Sequence, residues 1–392
     1  MSRRQNVFAR AGLGLMVMIC LTWQAPATPE PSRLVVGNTQ FAFDLYATLA
    51  TQKGNLGFSP FSISTALAMT QAGASGETAL EMSKVLHLPE DAQPAFGALL
   101  SELGKPQLGT KLSMANRIWP SSGLRLRQTY SNLLETIYHA QPQALDFGKA
   151  EQARKEINDW VSLQTEGKIA DLIPKDLLDS RTLLVLTNAV FFKGSWSSPF
   201  AEADTKQCRF ASSDGKTSPC WMMRRSDQLM WAEVDNVEIL EMPYSGGHLS
   251  MVVVLPRPGG LPELERNLDA AHWQQWLQRL EMTHLTIRIP RFKVEGDFKL
   301  AERLQFLGMR RVFGGGAELG AMTETAESAF VSDCLHKAVV EVNEQGTVAA
   351  AATAVVMTRG LSRTFEADHP FVFAIRDQAT GTILFLGRVE RP

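Results

Sequence analysis

The segment Glu341–Ser362 reads "EVNEQGTVAAAATAVVMTRGLS" and carries no charge between Gln345 and Thr358. Four successive alanines precede a Thr-Ala-Val-Val run, whose β-branched residues favour a strand. Arg359 follows, and the Gly-Leu-Ser after it is typical of a turn. The pattern indicates a strand with no evident pairing partner. Alanine is also the best helix former, so a helix or a flexible linker is the alternative.

The composition fits a large globular protein and gives no sign of a nucleic-acid partner. The 392 residues are 45% hydrophobic, enough to bury a sizeable core, and the formal net charge is −2. A near-neutral net charge gives no sign of the basic surface that nucleic acids require. No internal repeat, low-complexity linker or charged run marks a boundary. We therefore predict one mixed helix-and-sheet domain over residues 28–392, with two domains as the alternative.

Residues 1–27 have the pattern of a removable export signal. Three arginines precede the apolar run Ala11–Trp23, and Ala25-Pro26-Ala27 has the small residues of a signal-peptidase site. A membrane anchor is the alternative, but the run is shorter than the roughly 20 residues that span a bilayer. Twin-arginine export and lipidation at Cys20 are weaker alternatives. We expect a secreted or periplasmic protein with no membrane contact after the signal is removed.

Hydrophobic periodicity predicts a helical N-terminal half that is followed by strands and turns. Leu183–Phe192 is a nearly unbroken apolar run, as expected for a central strand covered on both faces. The predicted helices are Phe41–Leu49, Ser62–Ala72, Glu77–Leu86, Ala150–Thr165, Leu261–Leu280 and Lys299–Leu307. The other predicted strands are Leu249–Leu255, His284–Ile289, Phe371–Arg376 and Thr382–Val389, of which the last two form a hairpin.

Export would place the cysteines in a compartment that permits disulfides. Cys208 and Cys220 flank Ser212-Ser213-Asp214-Gly215, a turn signal that predicts a hairpin with the two cysteines nearly opposite each other. Two alternatives stay open, a possible Cys208–Cys220 disulfide or two unpaired thiols. Cys334 is left over and is predicted to be buried.

The sequence contains no convincing catalytic or metal-binding motif. His-Glu-x-x-His and Gly-x-Ser-x-Gly are absent and the seven histidines do not cluster, so we predict no metal and no cofactor. Ser213–Lys216 has a Ser-x-x-Lys spacing, but it falls on the predicted turn, where its residues are good turn formers. Four small polar residues stand in apolar sequence and would form a buried hydrogen-bond network rather than a catalytic group: Ser59, Ser62, Asn188 and His336.

The chain resembles the serpins from about Phe41 to its last residue. The matching stretches, in chain order, are "NLGFSPFSISTALAMTQAGASGET" (55–78), "INDWVSLQTEGKI" (157–169), "TNAVFFKGSWSSPF" (187–200), "HKAVVEVNEQGTVAAAATAV" (336–355) and "HPFVFAIRDQATGTILFLGRV" (369–389). The resemblance implies an α+β serpin fold of three β-sheets and about nine helices. It also implies a metastable fold with an exposed reactive-centre loop at about residues 344–365.

The resemblance implies a suicide-substrate inhibitor rather than an enzyme. A target serine protease would cleave the loop and form a covalent acyl complex through its own serine. The freed N-terminal arm of the loop would then insert as a new strand into the main sheet and distort the protease. The lack of charge in the loop then has a cause, because small uncharged residues enter a closed sheet at little desolvation cost.

The resemblance assigns individual residues to three groups. The hinge, where insertion begins, consists of Glu344, Gly346, Thr347, Ala349, Ala350, Ala351, Ala352 and Thr353. The shutter, beneath the place where the sheet parts, consists of Ser59, Ser62, Asn188 and His336. The breach, at the top of the sheet, consists of Trp196, Arg291 and Glu344, and we expect Glu344 to pair with Arg291. A helix across the sheet would contain or adjoin Asn158, Trp160 and Gly167.

The reactive bond is predicted at Arg359–Gly360. In serpins it lies roughly fifteen to sixteen residues past the hinge glutamate, which gives Arg359 or Gly360 when counted from Glu344. Counting back from Pro370-Phe371 favours Arg359, and an arginine fits the acidic pocket of trypsin-like proteases. The alternatives are Gly360–Leu361, Met357 and Arg363.

Three other functions stay open on the sequence. They are a non-inhibitory serpin acting as carrier or chaperone, an inhibitor of elastase-like, chymotrypsin-like or cysteine proteases, and a hydrolase on an unrelated fold. No heparin-type cofactor is expected, because only scattered lysines precede Asn116. We expect a monomer with a tendency to polymerise, since a loop that can enter its own sheet can enter that of a neighbour.

Overall fold

The computed structural model describes residues 32–324, 330–347 and 363–392. These ranges contain nine α-helices: α1 (Arg33–Leu49), α2 (Pro60–Gln71), α3 (Gly76–Val85), α4 (Ala92–Leu103), α5 (Gln128–Tyr138), α6 (Ala150–Gln164), α7 (Leu261–Asn267), α8 (Ala270–Gln278) and α9 (Ala301–Leu307). None of the helices in these ranges is both long and apolar enough to cross a membrane. The predicted export signal lies outside the described residues.

The same ranges contain fourteen strands. They are β1 (Leu56–Phe58), β2 (Thr110–Pro120), β3 (Leu184–Ser195), β4 (Lys206–Ala211), β5 (Thr217–Val234), β6 (Val237–Pro243), β7 (Leu249–Pro256), β8 (Glu281–Pro290), β9 (Phe292–Lys299), β10 (Cys334–Asn343), β11 (Gly346–Thr347), β12 (Arg363–Glu366), β13 (Phe371–Asp377) and β14 (Ile383–Val389).

The smaller sheet contains five strands in the order β2-β3-β11-β10-β9. Its centre is a parallel pairing of β3 with β10. All but two of the twelve residues of β3 are buried, and its side chains alternate between two core clusters. Leu186 and Val190 pack in the main core, whereas Val185 and Ala189 pack under α6. The predicted central strand covered on both faces is therefore confirmed.

Helix α6 lies across one face of the smaller sheet, where its apolar side chains share a core cluster with residues of β2, β3 and β10. The Arg117 guanidinium lies 4.2 Å from the centre of the Trp160 ring. The Asn158 side chain accepts a hydrogen bond from the Ile173 N–H at 2.8 Å and donates one to the Ile173 carbonyl at 3.0 Å. Gly167, with a φ of +74°, lies just beyond the helix end. The predicted helix across the sheet is therefore present.

The larger sheet contains nine strands in the order β1-β14-β13-β7-β6-β5-β8-β12, with β4 paired to β5. Hydrogen bonding thus groups the described strands into two sheets where three were expected. The reason is the 18-residue strand β5, which pairs with β4 over residues 217–222, with β8 over 222–231 and with β6 over 230–234. The predicted C-terminal hairpin is confirmed as β13 and β14, and β13 also pairs with β7.

The single helix predicted over Leu261–Leu280 is wrong, because this segment forms two helices, α7 and α8. Leu268 is extended between them. The Asp269 carboxylate then accepts a hydrogen bond from the His272 N–H at 2.8 Å, which caps the start of α8. Helix α1 is also longer than predicted and begins at Arg33.

The two sheets approach each other closely at a pair of glycines. An ideal Cβ on Gly296 of β9 would lie 1.9 Å from the Gly57 carbonyl oxygen of β1. Nearby, Phe292 of β9 packs edge-on against Phe371 of β13, with ring centres 5.7 Å apart. Glycine is therefore required at position 296 by the close approach of another backbone.

We expect Gly296→Ala to destabilise the protein by about 1–3 kcal/mol, because the added methyl group forces the two sheets apart. Gly315→Ala is the matched control, since nothing lies within 4 Å of a Cβ at that position. Thermal unfolding of both variants and the wild type measures the effect. Equal midpoints for the two variants would contradict the close approach.

Candidate functional site

The hinge begins inside the smaller sheet. Gly346 and Thr347 form β11, which pairs with β10 on one side and with β3 on the other. The Thr347 side chain is fully buried, and its Oγ1 lies 2.8 Å from the Tyr244 hydroxyl oxygen. Gly346 has a φ of +141°, and a Cβ there would lie 2.0 Å from the Gly194 carbonyl oxygen. Only glycine therefore fits at position 346.

This position of β11 corrects the expectation that the segment from Glu344 onward stays outside the sheet until cleavage. β3 and β10 pair directly only as far as Phe191 and Val339, although both strands continue beyond that point. β11 pairs with the last two residues of each strand, 194–195 of β3 and 342–343 of β10, whose backbone groups would otherwise lack a partner on that side. The rest of the predicted hinge and the reactive bond lie outside the described residues, namely Ala349, Ala350, Ala351, Ala352, Thr353, Arg359, Gly360 and Leu361.

An ion pair fixes the turn that precedes β11. The Arg291 Nε lies 2.7 Å from Glu344 Oε1 and 2.9 Å from Oε2. The Thr205 hydroxyl donates to the same Oε1 at 2.5 Å. Burial opposes ionisation of the Glu344 carboxyl, but the hydrogen bonds from Arg291 and Thr205 outweigh it and hold its pKa below the usual range. The expected pairing of Glu344 with Arg291 is therefore present.

Trp196 lies against the same turn. Its Nε1 donates to the Asn343 carbonyl at 3.0 Å, and its backbone N–H donates to the Gln345 carbonyl at 2.8 Å. Its ring stacks on the Tyr244 ring with centres 4.5 Å apart. The three predicted breach residues thus meet around the turn between β10 and β11. Sequence reasoning missed Thr205 and Tyr244, because neither belongs to a motif that marks the breach.

The four shutter residues are buried and form one hydrogen-bond network together with Asn116. The Ser59 N–H donates to His336 Nε2 at 3.0 Å, and His336 Nδ1 is hydrogen-bonded to Asn188 Oδ1. The Asn188 amide donates to Ser62 Oγ at 2.7 Å and to Asn116 Oδ1 at 2.6 Å. The predicted buried network is present, and its role as a shutter stays a prediction.

Asn116 is the network member that sequence reasoning missed. It lies on β2 directly opposite Asn188 on β3, which in turn lies opposite His336 on β10. The network therefore crosses three strands at one level of the sheet and spans the pairing of β3 with β10. The only signal was a polar residue within β2, whose register against β3 the sequence does not reveal.

His336 is held as a neutral imidazole, because burial lowers its pKa to about 3. Since Nε2 accepts the hydrogen bond of the Ser59 N–H, the ring proton is assigned to Nδ1 and is donated to the Asn188 oxygen. The Phe298 ring lies nearly parallel to the imidazole, with centres 6.4 Å apart. A neutral donor-acceptor pair, and not an ion pair, therefore joins β3 and β10 here.

The predicted hairpin that carries Cys208 and Cys220 is confirmed, with Cys208 of β4 directly opposite Cys220 of β5. Both thiols are free in the structure, and a bridge between them stays a prediction. Cys334 is buried, as predicted. Ser213–Lys216 lies in the turn of this hairpin and at its edge. In the part of the chain that the structure describes, no three His, Cys, Asp or Glu side chains converge as a metal site.

Proteins of known sequence and structure resemble this chain over most of its length. A family model described as "Serpin (serine protease inhibitor)" matches residues 36–392. An uncharacterized serpin-like protein of Thermococcus kodakarensis is 40% identical over 364 residues, or 90% of this chain and 84% of the relative. Leukocyte elastase inhibitor A of Rattus norvegicus is 39% identical over 378 residues, or 92% and 100% of the two chains. Human thyroxine-binding globulin complexed with thyroxine superposes with a TM-score of 0.85 and 30% identity, over 92% and 98% of the two chains.

The neutral His336 predicts a pH-dependent stability. The unfolded chain protonates this histidine near its ordinary pKa of 6.5, whereas the folded chain does so only near about 3. Between these values the unfolded state binds more protons, so the contribution of His336 is complete above pH 6.5 and is lost as the pH falls. We expect the free energy of unfolding to fall by roughly 1.4 kcal/mol per pH unit from this residue.

Urea unfolding between about pH 7.5 and 5 measures this slope in the wild type and in His336→Gln. We expect the variant to be less stable at neutral pH and to lose the His336 part of the slope. His248→Gln, at an exposed position, is the control and should keep the wild-type slope. An unchanged slope in His336→Gln would show that other groups cause the pH dependence.

Proposed function

Because the chain belongs to the serpin family of protease inhibitors, we propose that it is a suicide-substrate inhibitor of trypsin-like serine proteases. The family includes inhibitors, such as leukocyte elastase inhibitor A, and a thyroxine-binding globulin that was solved with thyroxine. The inhibitor proposal therefore rests on this chain's own hinge. The observation that supports it is the position of Gly346 and Thr347 between β3 and β10.

In this proposal the target protease supplies all of the catalytic groups. The serine hydroxyl of the protease attacks the carbonyl carbon of the reactive peptide bond. The nitrogen of the next residue leaves as an amine, and the loop stays joined to the protease serine as an ester. The freed arm then continues between β3 and β10 along the path that β11 has begun. The arm from Val348 to Arg359 contains twelve residues, enough to cover the ten residues of β3, 184–193, that β11 does not already cover.

Insertion is favoured because it replaces one parallel ladder with two antiparallel ladders. β3 and β10 now share six register pairs, all of them parallel. A strand between them would run antiparallel to both, as β11 does. Antiparallel pairing is slightly more stable per residue, and each inserted backbone group gains a partner. Before cleavage the far end of the loop is held by β12, which pairs with β8 in the larger sheet.

The polar groups at the site allow the sheet to part at a modest cost. Separating β3 from β10 breaks the hydrogen bond between His336 and Asn188, and a neutral hydrogen bond contributes only about 0.5–1.5 kcal/mol net. The ion pair of Arg291 with Glu344 precedes β11 and does not span the β3–β10 pairing. It would therefore stay intact and hold the start of the inserting strand in place.

The proposed reactive bond is Arg359–Gly360, with Gly360–Leu361 as the alternative for elastase-like or chymotrypsin-like proteases. The count from Glu344 and the charge of the arginine support this choice. The arginine side chain would bind the acidic pocket of a trypsin-like protease, and glycine offers no side chain for that pocket.

The organisation of the chain follows from the same proposal. Residues 28–392 would form a single serpin domain, and residues 1–27 would be removed on export to the periplasm or the outside of the cell. The mature protein would act as a monomer, with no cofactor and no nucleic acid. A tendency to polymerise is expected, since β3 and β10 of one molecule would accept the same kind of strand from another between them.

A non-inhibitory carrier is the second candidate, and the similarity to thyroxine-binding globulin favours it. Heat resistance before and after loop cleavage by a protease distinguishes the two candidates. An inhibitor whose arm inserts should unfold at a markedly higher temperature after cleavage. A carrier whose arm stays outside the sheet should show no such rise.

The trypsin-like specificity is tested by Arg359→Ala. We expect the wild type to form an SDS-stable complex with trypsin, and we expect the variant to lose it by at least about tenfold in rate, because the anchoring charge is gone. Arg363→Ala is the matched control and should keep the wild-type rate. Cleavage of the wild-type loop by trypsin with no covalent complex would refute the inhibitor proposal.

The insertion step is tested by Thr347→Arg. The wild-type side chain is fully buried beside Tyr244, so an arginine must bring an unpaired charge into the sheet at a cost of several kcal/mol. We expect the loop to be cleaved as a substrate, with complex formation reduced on the order of tenfold or more. Thr347→Ser keeps the hydroxyl and should inhibit normally. Equal complex yields for the two variants would exclude insertion as the trapping step.

A further inference from the structure

We propose that Cys208 and Cys220 are a redox-sensitive pair that forms a reversible disulfide and holds strand β4 on strand β5. Both cysteines are free thiols, and they occupy directly opposite positions on two antiparallel strands. Formation of the bridge does not depend on the proposed inhibitory function, because it concerns the chemistry of two neighbouring side chains.

The backbone geometry already suits the bridge. Directly opposite residues of an antiparallel pair have Cα atoms about 4.5–5.5 Å apart, within the range of about 4.4–6.8 Å found for disulfides. Opposite residues also point to the same face of the sheet. Cys208 and Cys220 share the inward face with buried Phe210 and Met222, which lie two residues away along each strand. The bridge therefore needs side-chain rotation but no shift of the strands.

The two sulfurs differ in their access to solvent. Cys208 is half-buried, whereas Cys220 is buried, and burial raises the pKa of the Cys220 thiol. The Arg288 Nη2 donates a hydrogen bond to Cys208 Sγ at 3.3 Å, and Arg288 Nη1 binds Glu366 of β12 at 2.6 Å. Cys208 is therefore the thiol that a dissolved disulfide reaches first, and Cys220 is the resolving thiol.

The oxidant is a low-molecular-weight disulfide, RSSR. The Cys208 sulfur, after loss of its proton, attacks one sulfur of RSSR, and the other sulfur leaves as a thiolate that takes up a proton. The Cys220 sulfur then attacks the mixed disulfide at Cys208 and releases the second RSH. Overall, the two protein thiols and RSSR give one protein disulfide and two RSH, so two electrons and two hydrogens pass to the oxidant. A dithiol reverses the reaction.

The bridge would act on an edge strand whose two ends contact the segments before and after residues 348–362. Among the described strands, β4 pairs only with β5. Thr205, just before β4, donates to Glu344, and the N–H of Ala211, the last residue of β4, donates to the Asp368 carbonyl at 2.8 Å. Opening of β4 away from β5 would disturb both contacts. A covalent link between β4 and β5 would limit this opening and so preserve them.

The test treats the purified full chain with oxidised glutathione and compares it with the protein kept in dithiothreitol. We expect unreduced digests to contain one peptide pair that joins Cys208 to Cys220, and both thiols to be lost from maleimide labelling until dithiothreitol restores them. Amide hydrogen exchange across Lys206–Ala211 should slow on the order of tenfold in the oxidised protein. Separate thiols at both positions after oxidation would overturn the proposal.

Two variants complete the test. Cys220→Ser removes the resolving thiol, so Cys208 should end as a mixed disulfide with glutathione and the exchange of β4 should stay fast. Cys334→Ser is the control, since that thiol is fully buried and burial raises its pKa to about 12, and the variant should still form the bridge. Slower exchange of β4 in oxidised Cys220→Ser, or a bridge to Cys334, would overturn the assignment.

Discussion

The parallel pairing of β3 with β10 is the contact on which the rest of the structure depends. It closes the smaller sheet through six register pairs and has a core cluster on each face. The hinge lies at one end of this pairing, the shutter network crosses it, and α6 covers it. The pairing is buried on both sides, so side-chain packing on its two faces stabilises it together with the backbone hydrogen bonds.

The sequence predicts those parts of the structure that local patterns specify. The apolar run in β3 marks a strand covered on both faces, and turn residues mark the β4–β5 and β13–β14 hairpins. Polar residues in apolar surroundings mark the buried network. The pairing of Glu344 with Arg291 came from the resemblance to a family, since the two residues are 53 positions apart and no local pattern connects them.

The parts that could not be predicted depend on contacts between distant segments. Asn116 joins the network because of the register of β2 on β3, and Tyr244 reaches Thr347 across 103 positions of the chain. The break between α7 and α8 was missed because the apolar spacing continues through it, while the cap at Asp269 decides the local structure. The early pairing of β11 was missed for another reason. It follows from unpaired edges of β3 and β10, which become visible only when both strands are in place.

In the larger sheet β1, the first described strand, pairs with β14, the last, and Leu56 lies opposite Arg388. β13 and β14, the last strands in chain order, are also interior to that sheet and buried throughout almost their whole length. Such a topology has a high contact order, and loop-closure entropy must be overcome before these pairings form. A nascent chain therefore cannot complete its core until synthesis of the C-terminal hairpin has finished. During that interval β7 lacks its partner β13, and an unpaired strand edge of this kind favours aggregation of a folding intermediate.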